Sequence, residues 1–102
     1  MFVRWRHRSE KLIALLVKSA RVNGAPRQQH IAVLGSVPKS GGGWRDRSEF
    51  WEEVVSRLDD ASYSHRMSLA ERTKIEDAIA LKVPRPNKRE RAQWNKLQER
   101  RS

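Results

Sequence analysis

Arg4, Arg6 and Arg8 stand at alternate positions in the run FVRWRHR near the start of the chain. Strict alternation marks a β-strand with one packed and one solvated face, with Val3, Trp5 and His7 on one side and Phe2 with the arginines on the other. Successive guanidiniums on such a face are about 6.5–7 Å apart. Phosphates along one DNA strand recur at a similar interval, so this ladder can track a backbone or enter a groove as part of a β-ribbon. The plain alternative is an exposed sheet face charged for solubility. A second set, Arg21, Arg27 and Gln28, with Gln29 beside them, flanks Asn23-Gly24 in RVNGAPRQQHIAVLGSV. Arginine reads guanine and glutamine reads adenine through paired hydrogen bonds. The alternative for this set is a solvated hairpin edge. A third set, Lys88, Arg89, Arg91, Lys96, Arg100 and Arg101, gives the last segment a basic surface. Such a tail lies along phosphates and folds on contact, or is a solvated end.

Composition points the same way. The net charge is +10 and the pI about 11.1, an excess that suits a polyanionic partner: DNA, RNA or an anionic surface. Residues 1–40 hold eight Lys/Arg against one acid, and residues 84–102 hold seven against two. The middle is neutral to acidic. The longest apolar run, Leu12–Val17, is far short of a membrane span and too short for a signal peptide despite the arginines before it. The expectation is a cytoplasmic protein with no membrane contact, nucleoid-associated if it binds DNA. There is no cysteine, which removes disulfides and thiolate metal sites. His7, His30 and His65 lack ligand spacing. No serine has a His/Asp relay, and Gly41-Gly42-Gly43 lacks the Lys-Ser/Thr of a phosphate loop. No metal, cofactor or enzymatic activity is expected.

These residues need elements to position them. Leu12–Val22 fits a central strand, although Leu12, Leu15, Leu16 and Ser19 also form a helical stripe. Asn23-Gly24 decides for the strand, because it supplies the positive φ of a tight hairpin turn. Arg27–Leu34 then returns as a strand ended by Gly35, with Pro26 acceptable only at an edge or bulge. The turn is expected to set Arg21 and Arg27 side by side, with Ile31 and Val33 anchoring the hairpin. Ser40-Gly41-Gly42-Gly43 reads as a flexible joint, and Trp44 beyond it as hinge packing or a base-stacking ring. Asp46 and Glu49 form a capping pattern for a helix burying Phe50, Trp51, Val54, Val55 and Leu58. Asp59-Asp60 opposes the helix dipole and suggests its end. Ser68 and Glu71 cap a second helix, with Leu69, Ile75, Ala78 and Ile79, that stops before Pro84. Pro84 and Pro86 make a bend. Asn87 and Glu90 cap a third helix whose only large apolar residues are Trp94 and Leu97, so that it need not join a core.

The run Arg21, Gly24, Pro26, Arg27, Gln28, Leu34 and Gly35, with FVRWRHR before it, resembles the N-terminal β-hairpin region of bacterial insertion-sequence transposases of the DDE type. The resemblance covers residues 2–37, about a third of the chain. It implies a nucleic-acid-associated module. The family's catalytic domain is several times longer and uses three separated carboxylates to hold two metal ions. Here Glu52-Glu53 and Asp59-Asp60 are adjacent pairs, so the resemblance carries no catalysis. The remainder is similar to short bacterial proteins found around mobile elements.

The expected fold is α+β: a three-stranded antiparallel meander, then two or three helices on one sheet face. Residues 1–102 form one small domain, with a meander over 2–37, a joint at 40–43, a helical part at 46–83 and a basic helix or tail at 87–102. The expected function is double-stranded DNA binding, as an accessory or regulatory protein of a mobile element. One rival is a protein-interaction module, an inhibitor, antitoxin or anti-defence factor, binding an acidic partner. The other is RNA binding, for which the chain shows no known motif. The sequence leaves the oligomeric state open, a dimer included.

Overall fold

The computed structural model describes residues 1–40 and 42–101, apart from the side chains of Val22 and Arg101. Strands β1 (Phe2–Arg8), β2 (Lys11–Val22) and β3 (Ala25–Pro38) precede helices α1 (Trp44–Ser64), α2 (Leu69–Lys82) and α3 (Lys88–Arg101). The strands form one antiparallel sheet in the order β1-β2-β3. The fold is α+β, with the helices on one face of an open meander.

Leu12–Val22 is the central strand. Asn23 (φ 54°) and Gly24 (φ 80°) both take positive φ, and Val22 faces Ala25 directly. A two-residue turn of this hand matches the right-handed twist of the strands it joins. Pro26 sits in β3, an edge strand, where its missing donor breaks no ladder.

The inner face of the sheet carries Val3, Trp5, Ala14, Leu16, Leu34 and Val37 against Phe50, Trp51, Val54 and Leu58 of α1. Ile75 and Ile79 of α2, with Val83, close the core. Trp5 stacks on Phe50 with ring centroids 6.2 Å apart. The Trp51 indole donates to the Val83 carbonyl at 2.9 Å and ties α1 to the end of α2.

Several expectations change. Gly35 does not end β3, which runs on to Pro38. A Cβ at Gly35 would lie 3.1 Å from the Phe50 ring, so glycine is there to let the ring close on the strand. Register shifts in the β2–β3 ladder leave Leu34 and Ile31 as extra residues on β3. These bulges turn Leu34 into the core and Val33 outward, where it is 51% exposed. Ile31 packs on the core, so Ile31 anchors the hairpin and Val33 does not.

Gly41 lies outside the described residues, but Gly42 has φ +63° and a Cβ there would meet Asp46 at 2.6–2.9 Å. Gly43 is the N-cap of α1, and its N–H donates to the Asp46 carboxylate at 3.1 Å. Asp46 is thus the third helical residue and caps backward instead of opening a box with Glu49. Helix α1 runs through Asp59-Asp60 to Ser64, because Asp59 pairs with Arg72 of α2. Val55 faces outward, and Ala61 continues the buried stripe in its place. Ser68 does cap α2, accepting from the Glu71 N–H at 3.1 Å. Leu69, at 80% exposure, and Ala78 lie outside the core. Asn87 and Glu90 cap the start of α3 reciprocally, at 2.8 and 3.2 Å.

Candidate nucleic-acid interface

All three helices lie on one side, so the other face of the sheet is open. Arg4, Arg6 and Arg8 occupy it, opposite Leu15, Ile13 and Lys11 of β2. All three arginines are exposed. The same face continues along β2 through Val17 and Ser19 to Arg21, and along β3 through His30 and Gln28. From Lys11 to Arg21 the row spans about 33 Å at the rise of a strand, close to one helical turn of B-DNA.

This face has its own dry layer. Val17 is 0% and Leu15 5% exposed, although neither belongs to the cluster under the helices. The Arg4 guanidinium donates to Gln28 Oε1 on β3. Arg4 faces Leu15 and Gln28 faces Ser19, so the side-chain bridge passes over Val17. Its methylene stem covers apolar surface while its charge stays wet.

Beyond Val17 the hairpin has no β1 partner. Residues 18–29 continue as a two-stranded arm, pairing Lys18 with Gln29, Ser19 with Gln28, Ala20 with Arg27 and Arg21 with Pro26. None of its residues belongs to the core, and its described side chains are exposed except that of half-buried Ala20. The molecule measures 52 × 31 × 24 Å. Arg21 and Arg27 are not side by side. Arg21 faces Pro26 and Arg27 faces Ala20, so the two arginines project from opposite faces of the ribbon. A two-residue turn fixes this, because residues equidistant from its centre pair, and 21 pairs with 26.

The third basic set stands elsewhere. Helix α3 rests on α1, through the Trp94 indole donating to Glu52 at 2.6 Å and an Arg47–Glu90 ion pair at 2.6 Å. Lys88, Arg89, Arg91, Lys96 and Arg100 are exposed on it, and the side chain of Arg101 lies outside the described residues. Since α1 lies between α3 and the sheet, the structure does not merge these cations with the arginine ladder into one surface. Trp44 is half-buried, with Arg45 over its ring at 5.4 Å.

Charge divides by layer. Every acid except Glu10 lies from Asp46 onward, on the helical side. Arg57 pairs with Glu53 and Arg85 with Asp77, at 3.7 and 3.4 Å. Among the described residues, no arginine or lysine of the sheet takes part in an ion pair. The one acid of residues 1–40, Glu10, lies in the turn between Arg8 and Lys11 at the end of the ladder.

Sequence reasoning missed two contributors: Lys11 on the open face and Lys18 on the arm. Carrying the alternation of β1 across the turns would have placed them. No helix of the described residues is long and apolar enough to cross a membrane. No protein-family model, curated protein or solved structure matches this chain.

Proposed function

We propose that this chain binds double-stranded DNA through the open face of its sheet, as a small accessory or regulatory protein without catalytic activity. The observation that carries the reading is the row of Arg4, Arg6, Arg8, Lys11 and Arg21 on one uncovered face, whose strands contribute no acid. Cations at strand spacing over one helical turn engage phosphates and release condensed counterions, which supplies affinity without sequence reading. The link to a mobile element rests on the likeness of residues 2–37 to transposase hairpins and belongs to the same proposal.

A gel-shift series with duplex DNA, single-stranded DNA and duplex RNA tests it. The reading expects duplex DNA to be retained at low salt and lost as salt rises. Failure to shift any nucleic acid sinks it.

A second reading, capture of an acidic protein strand, is favoured by the edges of the sheet. Edge β3 is blunted by Pro26, Pro38 and two register shifts, whereas β1 carries neither proline nor bulge. An added strand with acids at alternate positions would face Arg4, Arg6 and Arg8. A chain that ignores nucleic acid and binds such a peptide supports this reading instead.

A further inference from the structure

We infer, resting on the reading that the chain binds duplex DNA, that the arm of residues 18–29 enters the major groove of B-form DNA with Arg21 and Gln28 turned to base edges. The arm is an exposed ribbon with no helix against either face and no packed core of its own. An isolated two-stranded ribbon is at best marginally stable in water, so an arm of this kind gains from a partner that encloses it. Five residue pairs and the turn extend it by about 20 Å, and a two-stranded ribbon is a shape that the major groove admits. The arm contains no acid, and Lys18, Arg21 and Arg27 make it cationic on both faces.

The two faces have different work. The face that continues the arginine ladder carries Ser19, Arg21, Pro26 and Gln28. With the ladder on phosphates, this is the face brought to the DNA. The other carries Lys18, Arg27 and Gln29, whose long side chains reach back toward the phosphates at the groove's lips.

Arg4 prepares Gln28 for this task. A guanidinium only donates, so its partner on Gln28 is the carbonyl oxygen. The amide is thereby turned with its NH2 group away from Arg4, presenting a donor. In the major groove that donor meets the N7 and O6 acceptors of guanine or the N7 of adenine, and Arg21 beside it meets guanine. Arg4 is a positioning residue here, and Gln28 and Arg21 are the reading ones.

Methylation protection with dimethyl sulfate tests the placement, since the reagent marks guanine N7 in the major groove and adenine N3 in the minor groove. A duplex of about 20 base pairs with both bases is bound by the full chain and by two variants. One variant lacks residues 19–22 and 25–28, which joins Lys18 to Gln29, already cross-strand partners, through Asn23-Gly24. The other is R21A/Q28A, which keeps the whole ribbon should the shortened chain fail to fold. The expected result is guanine N7 protection by the full chain, lost in whichever variants fold, with duplex affinity falling about tenfold or more for the shortened chain. Binding with adenine N3 protected, with no protection, or with N7 protection unchanged in the variants overturns the placement while leaving DNA binding intact. Absence of any duplex binding by the full chain overturns the reading on which the placement rests.

Discussion

Arg4 of β1 hydrogen-bonds to Gln28 of β3 across the intervening strand, and Val17 lies dry beneath the bridge. The contact joins the two ends of the open face: a phosphate-spaced ladder and a projecting arm. It also means that Arg4 has a structural share that Arg6 and Arg8 lack. Arg4 faces Leu15, which is 5% exposed, and Arg4→Ala, which removes its stem from that face, is expected to cost about 1 kcal/mol in urea unfolding. Arg4→Met keeps an apolar stem there and is expected to cost less than half as much. Equal losses for the two variants would mean that the hydrogen bond, rather than the stem, stabilises this face.

Gly35 and Phe50 meet so closely that any side chain on the strand must displace the ring. Gly35→Ala is expected to destabilise by about 1–3 kcal/mol through overpacking, read as a lowered thermal midpoint. A midpoint at or above the parent's would show that the Phe50 ring moves aside freely.

Ser48 is buried on α1, and among the described residues its hydroxyl has no hydrogen-bond partner. Removing a buried unsatisfied group relieves its desolvation cost. Ser48→Ala is therefore expected to be neutral or stabilising, by up to about 1 kcal/mol, in chemical denaturation. A loss of stability would mean that the hydroxyl is solvated or bonded in solution.

The sheet was legible in the sequence because its signals are local. Period two in FVRWRHR, the apolar run of β2 and Asn23-Gly24 each act within a few residues, and together they dictate the meander. The bulges at Leu34 and Ile31 were not legible. They arise from how β3 bends under α1, and no neighbour in sequence announces them. The pairing of Arg21 with Pro26 followed from the turn alone, but proximity to a turn is easily mistaken for juxtaposition. The end of α1 was misplaced for the opposite reason. Asp59-Asp60 opposes the helix dipole locally, yet Arg72 from α2 supplies a charge partner that only the fold brings near. The sequence named most residues of the three cationic sets but passed over Lys11 and Lys18. Only the placement of α3 on α1 could separate the third from the other two.

That separation has a consequence. Deleting residues 87–102 removes the Arg47–Glu90 and Trp94–Glu52 contacts but, among the described residues, no fully buried one. The rest is expected to stay folded, with a stability loss of about 1–2 kcal/mol. Duplex DNA affinity is expected to fall by no more than about threefold at 0.15 M salt, because cations well beyond the Debye length of about 8 Å contribute little. A tenfold drop in a folded truncated chain would place α3 on the DNA.

The slope of log affinity against log salt, for duplex DNA, tests the central claim most directly. Engagement of about five to seven phosphates gives a slope of about −4 to −6. Arg6→Gln with Arg8→Gln leaves the Arg4–Gln28 bridge in place and removes two contacts. It is expected to make the slope shallower by about 2, while Lys88→Gln with Arg89→Gln leaves it within about 0.5 of the parent's. A flat slope for the parent chain, or the larger change in the α3 variant, would contradict the assignment of the open sheet face as the DNA-binding surface.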